Sequence, residues 1–166
     1  VRSIAEGHDG AALQAIGEAD LVYLSGGHPR HLLRVLRESP LGGALAAAHA
    51  RGTTVAGCSA GAMAIAARTM AFPAIPRLRR PLPFLIRWAE GLSLAEGIAV
   101  LPHYDAWPEP LSAMVALQAL RGSVVLGIDE DTAVVGRNGA WQVHGVGRVT
   151  VWHGRRWRLQ DIPQDD

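Results

Sequence analysis

The sequence has a single cysteine, Cys58, and no lysine among its 166 residues. One cysteine excludes an internal disulfide and favours a reducing compartment, so we expect a cytoplasmic location. The apolar runs are all interrupted well short of the roughly 20 residues that a membrane span needs, which argues against a membrane protein. The 16 basic residues are all arginine and are scattered along a chain of formal net charge +1, so no nucleic-acid partner is indicated.

Short apolar runs alternate with helical patterns along most of the chain. The strand-like runs include "LVYLSGG", "TTVAGC", "IAVLPH" and "SVVLGID", and patterns typical of helices lie between them. This alternation predicts an α/β domain with a mostly parallel sheet. Hydrophobic residues make up 49% and charged residues 19%, a balance typical of a globular protein. We place one domain at residues 1–160 and a polar tail at 161–166.

Two segments depart from this alternation. Residues 71–92 contain four prolines and four arginines, which predicts an irregular loop, either a functional flap or a solvated insertion. The later segment, after residue 131, consists of strand-like runs separated by glycine. The Asn138–Gly139 pair is favoured in tight turns between strands, so we expect a C-terminal β-hairpin at one edge of the sheet.

The segment Gly57-Cys58-Ser59-Ala60-Gly61 fits the pattern G-x-S-x-G between a predicted strand and a predicted helix. A side chain on such a sharp turn is exposed at the carboxyl end of the sheet, and small neighbours leave room for the strained backbone. Ser59 is therefore a candidate nucleophile, and we expect Cys58 to point away from it, into the core. The alternative is a close strand–helix contact that needs only small residues.

Two histidines follow predicted strands at the same sheet edge as Ser59. His103 ends "IAVLPH", which makes it the first candidate for a general base, and His28 follows Gly26-Gly27 and is the second candidate for the pocket. Glycines at 26 and 27 would let the backbone approach a substrate closely. The N–H groups of Gly27 and Ala60 could together stabilise an oxyanion.

Four segments in this order resemble the serine peptidases that include cyanophycinase and the aspartyl dipeptidases, within the class I glutamine amidotransferase-like fold. They are "LVYLSGGHPRHLL", "VAGCSAGAMAIA", "GLSLAEGIAVLPHYD" and "VLGIDEDTAVV". The resemblance implies a flavodoxin-like three-layer sandwich. It also implies hydrolysis of a small peptide or amide substrate through an acyl-enzyme on Ser59, with His103 as base and no cofactor. Family members cleave peptide bonds next to aspartyl residues.

The chain departs from this family in the acid that orients the histidine. The family usually supplies it between the serine and the histidine, where this sequence has no Asp or Glu before Glu90 and Glu96. Glutamine amidotransferases instead use an acid two residues after the histidine, a position held here by Asp105. We therefore predict that Asp105 orients His103.

Two further departures concern the substrate and the sheet. The arginines that follow the histidine in the family are absent, so Arg77, Arg79 and Arg80 are candidates to replace them in binding an acidic substrate. Family members also carry about two strand–helix units before the Gly-Gly turn. This chain has only 25 residues there, so either the sheet lacks strands or the sequence is a fragment. An uncovered edge would favour a homodimer.

Three consecutive acids, Asp129 to Asp131, follow the last strand of the alternating region. No histidine or second acidic cluster stands at ligand spacing, so we interpret them as turn and hydrogen-bonding residues near the pocket and predict no metal. Two alternatives to the serine hydrolase remain open. One is a degenerate, non-catalytic member that binds a small molecule or a partner. The other uses Cys58 as a redox-sensing or amidotransferase nucleophile.

Overall fold

The computed structural model describes residues 2–71, 87–119, 123–137, 139–153 and 156–158. Within these ranges the α-helices are α1 (Gly10–Glu18), α2 (Pro29–Arg37), α3 (Leu41–Ala50), α4 (Ala60–Ile65) and α5 (Glu109–Ala119). The strands are β1 (Leu21–Leu24), β2 (Thr54–Gly57), β3 (Ala66–Ala71), β4 (Arg87–Glu90), β5 (Ala95–Pro102), β6 (Val124–Ile128), β7 (Thr132–Arg137), β8 (Ala140–Gly145), β9 (Val149–His153) and β10 (Arg156–Arg158). Single turns of 3-10 helix lie at Glu6–His8 and Tyr104–Ala106.

Among the described residues, the larger sheet has six strands in the order β10-β9-β6-β5-β3-β4. Strand β5 pairs in parallel with β3 and β6, whereas β4, β9 and β10 join antiparallel. The fold is therefore α/β, as predicted, but the prediction of a mostly parallel sheet is wrong for this mixed sheet. The reason is that only β3, β5 and β6 form the parallel centre. Strands from outside the alternating region add antiparallel on both sides of it, β4 on one side and β9 and β10 on the other. The finer description as a flavodoxin-like three-layer sandwich stays a prediction.

Two smaller sheets accompany the six-stranded one. Strands β1 and β2 pair in parallel, with Leu24 opposite Gly57. Strands β7 and β8 form the expected antiparallel hairpin, although as a separate two-stranded sheet. The predicted turn of this hairpin is Asn138–Gly139. Gly139 has a φ of 78°, in the left-handed region that glycine tolerates, and Asn138 lies outside the described residues.

Two boundaries differ from the sequence pattern. The alanine-rich segment after Ser59 predicts a helix through residue 70, but α4 ends at Ile65 and β3 begins at the next residue. Alanine has the highest helix propensity, but intrinsic propensity is small in energy, and pairing of Ala66 with Ala95 of β5 overrides it. Of the segment predicted as irregular, residues 72–86 lie outside the described residues, whereas residue 71 ends β3 and residues 87–90 form β4 against it.

The largest group of buried apolar side chains joins α4 and α5 to the six-stranded sheet. Its members are Met63, Met70, Ala99, Leu101, Val115, Ala116, Ala119, Val125 and Trp152. This packing fixes β5 and β6 side by side, with Pro102 opposite Ile128 at their carboxyl ends. The residues that follow these two strands therefore emerge next to each other. Among the described helices, none is long and apolar enough to cross a membrane.

Candidate active site

Ser59 occupies a sharp turn between β2 and α4. Its backbone has φ 52° and ψ −112°, which is strained for a residue with a side chain. Two glycines make the turn possible, because a Cβ atom on Gly57 would lie 2.5 Å from the carbonyl carbon of Gly61, and one on Gly61 would overlap the carbonyl oxygen of Leu24. The glycines of the G-x-S-x-G segment thus serve close packing of the turn against β1 and α4.

The hydroxyl of Ser59 contacts the imidazole of His103. Ser59 Oγ lies 3.0 Å from His103 Nε2, within the range of a good hydrogen bond. His103 follows β5 in a left-handed conformation, with φ 55° and ψ 42°, and this conformation directs the chain into the 3-10 turn that follows. The structure therefore brings together the two residues that the sequence predicts as nucleophile and base.

The other ring nitrogen of His103 contacts Glu130, a residue that the sequence pattern did not single out for this role. His103 Nδ1 lies 3.0 Å from Glu130 Oε1. Because an ionised carboxylate only accepts hydrogen bonds, we assign the proton to Nδ1, which leaves Nε2 free to accept from the serine hydroxyl. Both side chains remain partly open to water, with 45% of the His103 and 59% of the Glu130 side chain exposed.

Asp105 is not the carboxylate that contacts the imidazole, which corrects the prediction for this residue. Its Oδ1 instead accepts a hydrogen bond of 2.9 Å from the backbone N–H of Glu130. The other acids considered lie elsewhere in the fold. Glu90 is at the end of β4, opposite Arg68. Glu96 is near the start of β5, about 20 Å along the strand from His103 at the usual rise per residue.

The Gly-Gly turn after β1 lies beside the serine. A Cβ atom on Gly26 would be 3.4 Å from Ser59 Cβ and 4.0 Å from Ser59 Oγ, while the same position on Gly27 faces open space. Gly27 has a φ of 139°, which glycine tolerates. His28 precedes α2, and its side chain is exposed and makes no capping hydrogen bond. Ala60, the first residue of α4, is buried.

Cys58 is exposed, so the expectation that it points into the core is wrong. A hydrogen bond with the Cys58 side chain raises the pKa of Tyr23, with the charge of the thiolate and burial as smaller causes. Tyr23 is itself exposed on β1, the strand that pairs with β2. The thiol is thus directed to the exposed face of the small β1–β2 sheet, where there is little to bury it.

Hydrogen bonds to Asp129 and Asp131, the neighbours of Glu130, hold the turn that carries it. Asp129 Oδ2 accepts a hydrogen bond of 2.9 Å from the backbone N–H of Arg148, and the carbonyl of Asp131 accepts one of 3.2 Å from Val146. Within the part of the chain that the structure describes, no three histidine, cysteine, aspartate or glutamate side chains lie close enough together to hold a metal ion. Arg77, Arg79 and Arg80 fall outside the described residues.

Comparison with known proteins identifies the family of this site. The sequence model of peptidase family S51 matches residues 3–144, most of the chain. The chain belongs to peptidase family S51. This confirms the resemblance to the cyanophycinase and aspartyl dipeptidase group. No curated protein matches the chain significantly in sequence.

Two solved structures are similar to this S51 chain. A peptidase from an acI-B1 actinobacterium is 27% identical, with a TM-score of 0.74, and the match covers 94% of this chain and 62% of the other. A Listeria monocytogenes protein described as a peptidase E is 18% identical, with a TM-score of 0.62 and coverage of 89% and 67%. The chain therefore spans 62% of the length of the actinobacterial peptidase.

Glu130 is the site residue that sequence reasoning missed in this S51 chain, because the signal for it is the pairing of two strands and not a local sequence pattern. It follows β6, which the sequence pattern predicts as a strand, and β6 lies next to β5 in the sheet. Pro102 and Ile128 lie opposite each other in that pair. His103, directly after Pro102, and Glu130, two residues after Ile128, therefore emerge side by side. Strand adjacency of β5 and β6 would have pointed to Glu130 instead of Asp105.

Proposed function

We propose that this chain is a serine-dependent hydrolase of peptide or amide bonds, with Ser59 as the nucleophile. One observation carries the proposal, namely the continuous chain of contacts from Ser59 Oγ through the His103 ring to Glu130 Oε1, with both distances at 3.0 Å. A serine hydroxyl alone is a weak nucleophile, and a neighbouring base held by a third group is the arrangement that activates it. The strained turn at Ser59 supports a nucleophile elbow.

In the proposed reaction, Ser59 Oγ attacks the carbonyl carbon of the scissile bond while its proton passes to His103 Nε2. The carbonyl oxygen becomes an oxyanion, for which we propose the backbone N–H groups of Gly27 and Ala60 as donors. The C–N bond then breaks, and the leaving amine takes the proton from His103. A water molecule attacks the resulting acyl-serine, its proton goes to His103, and the released Ser59 oxygen recovers a proton from it.

Glu130 takes the role predicted for Asp105. By accepting from Nδ1–H it holds the imidazole in the tautomer that leaves Nε2 free, and it stabilises the positive charge that His103 gains during attack. Because the carboxylate is more than half exposed, water competes for it. We therefore expect a smaller contribution than that of a buried acid in the same position.

The substrate class follows from the family resemblance and stays part of the proposal. We propose small peptides with a scissile bond next to an aspartyl residue as the first substrates to test. Gly26 and His28 lie along the turn beside the serine and would line the substrate site. The candidate arginines for binding an acidic group lie outside the described residues.

Labelling with a fluorophosphonate tests the proposal and needs no identified substrate. We expect the wild-type protein to form a covalent adduct on the peptide that contains Ser59, because only an activated serine displaces fluoride from phosphorus at a useful rate. The measurement is mass spectrometry of the digested adduct. Cys58→Ala provides the matched control, since it removes the neighbouring nucleophile and should keep the label.

The alternative function is a non-catalytic binding module built on the same pocket. Its specific support is the exposure of His103 and Glu130, 45% and 59%, because solvent weakens the interactions that activate a serine. Absence of any adduct in the wild-type protein would favour this alternative. Hydrolysis of α- or β-aspartyl dipeptides together with an adduct at Ser59 would eliminate it.

Replacing Glu130 with Gln is expected to lower the labelling rate about 100-fold, less than the roughly 10⁴-fold loss when a buried triad acid is replaced. An amide can donate to Nδ1 and so stabilise the wrong tautomer, with the proton on Nε2. The measurement is the second-order rate constant for fluorophosphonate labelling. Asp131→Asn is the control, because it removes a neighbouring exposed acid and asparagine tolerates the φ of 52° at that position. An unaltered rate in the Glu130 variant would remove Glu130 from the proposed mechanism.

A further inference from the structure

Asp105 bonds to the backbone of the residue that contacts the histidine. Ser59 occupies Nε2 of His103 and Glu130 occupies Nδ1, so both ring nitrogens already have partners. The carboxylate of Asp105 accepts instead from the N–H of Glu130, at 2.9 Å. We propose that Asp105 is a positioning residue that holds Glu130 against His103, an inference that rests on the proposed serine hydrolase function.

The contacts form a closed ring. Asp105 and His103 belong to one segment, because Asp105 lies in the 3-10 turn that starts directly after His103. That turn is tied back to the histidine by a 3.1 Å hydrogen bond from the N–H of Ala106 to the carbonyl of His103. From Asp105 the ring passes to the backbone of Glu130, along its side chain, and back to the imidazole. In such a closed ring, the hydrogen bond from Glu130 N–H to Asp105 also restricts where the Glu130 carboxylate can lie relative to the imidazole.

The 3-10 turn that carries Asp105 is docked on the sheet. The ring of Tyr104 covers Gly127 of β6, where a Cβ atom would overlap it. The hydroxyl of Tyr104 accepts a 3.0 Å hydrogen bond from Trp152 Nε1 of β9. Asp105 therefore projects from a supported turn, which makes it suited to hold a neighbouring loop in place.

The Glu130 loop is held on its other side as well. The carbonyl of Glu130 accepts a 3.0 Å hydrogen bond from Thr132 Oγ1, which in turn accepts a 2.9 Å bond from the N–H of Gly147. Asp105 thus binds the N–H of Glu130 while Thr132 binds its carbonyl. Because the Glu130 side chain is more than half exposed, its packing alone does little to place it. The backbone bonds are what keep its carboxylate within reach of Nδ1.

Asp105 could instead act through its charge, since a second carboxylate near His103 would favour the imidazolium. The two roles predict different results for two substitutions. Asp105→Asn removes the charge but keeps an oxygen that can accept from the N–H of Glu130. Asp105→Ala removes both. The comparison between the two variants therefore isolates the hydrogen bond from the charge.

The test is the second-order rate constant for fluorophosphonate labelling of the full chain. We expect Asp105→Ala to lower it about tenfold, because small displacements of a catalytic group have large effects on rate. Asp105→Asn should retain at least about a third of the wild-type rate, since the backbone bond survives. Asp9→Ala is the matched control, because Asp9 Oδ1 accepts a similar 3.0 Å bond from Ala11 N at the start of α1, and its loss should leave the rate unchanged.

A double-mutant cycle separates this role from a general loss of folding. In a Glu130→Ala background, Asp105→Ala should change the labelling rate less than about twofold, because the partner it positions is gone. A tenfold loss in both backgrounds would overturn the inference, as would equal losses in the Ala and Asn variants of Asp105 or a wild-type rate in Asp105→Ala. If the wild-type protein itself forms no adduct, the proposed function fails first.

Discussion

Ser59→Ala is expected to reduce peptide hydrolysis to the background rate, a loss on the order of 10⁶ if the serine, histidine and acid act as one unit. The hydroxyl oxygen of Ser59 is the atom 3.0 Å from His103 Nε2, and alanine removes only that oxygen. Alanine also accepts the φ of 52° no less readily than serine, so the strained turn persists. Hydrolysis of aspartyl dipeptides and fluorophosphonate labelling both measure the loss.

Stability and neighbouring groups provide the controls for this result. The midpoint of thermal unfolding should be nearly unaltered in Ser59→Ala, because Ser59 is only partly buried and its hydroxyl bonds to the partly exposed His103. Ser25→Ala should keep activity, since Ser25 is an exposed serine that follows the adjacent strand. Retention of hydrolysis in Ser59→Ala would contradict the mechanism. Its loss in Cys58→Ala alone would instead favour the thiol as nucleophile.

The pair of Ser59 and His103 could be predicted because each depends on local sequence. The G-x-S-x-G spacing specifies a turn that needs Gly57 and Gly61, and the structure explains both glycines by close contacts. His103 follows a strongly apolar strand, and residues at the carboxyl ends of neighbouring parallel strands tend to converge. In the structure the two strands belong to different sheets, β2 to the β1–β2 pair and β5 to the six-stranded sheet. The contact between Ser59 and His103 therefore also depends on tertiary packing.

The orienting acid could not be predicted in this way, because it depends on strand order. Asp105 is close to His103 in sequence, and Glu130 is close only because β6 pairs with β5 in a particular register. The same limitation applies to Cys58. Its side chain is exposed because it lies on the exposed face of the β1–β2 sheet, beside the exposed Tyr23. The sequence alone does not show which face of these strands is covered. Strand order also determines the mixed character of the sheet.

The boundary between α4 and β3 illustrates a different limit. The segment from Ala60 to Met70 is rich in alanine, and its composition favours a helix throughout. In the structure the helix ends at Ile65, where the chain joins β5 through the pairing of Ala66 with Ala95. Small residues fit both environments, so long-range pairing decides between them. Secondary-structure propensity therefore carries little information about where α4 ends and β3 begins.

Gly61→Ala is expected to lower the free energy of unfolding by about 2 kcal/mol, because an overpacking cost of about 3 kcal/mol outweighs a gain in helix propensity of about 1 kcal/mol. The added Cβ would overlap the carbonyl oxygen of Leu24 and approach its carbonyl carbon at 2.7 Å. These are backbone atoms of β1, which cannot rotate away as a side chain could. Denaturant unfolding at equilibrium measures the change.

The same substitution should also slow labelling of Ser59, because displacement of Leu24 moves the Gly-Gly turn that follows it. Gly43→Ala in α3 is the matched control, since a Cβ atom there meets nothing within 4 Å. That variant should gain about 0.5 kcal/mol from reduced backbone freedom and label normally. Equal effects of the two substitutions on stability would show that Gly61 is a helix glycine like any other. A loss of stability and of labelling rate in Gly61→Ala alone would show that the serine turn depends on the packing of α4 against β1.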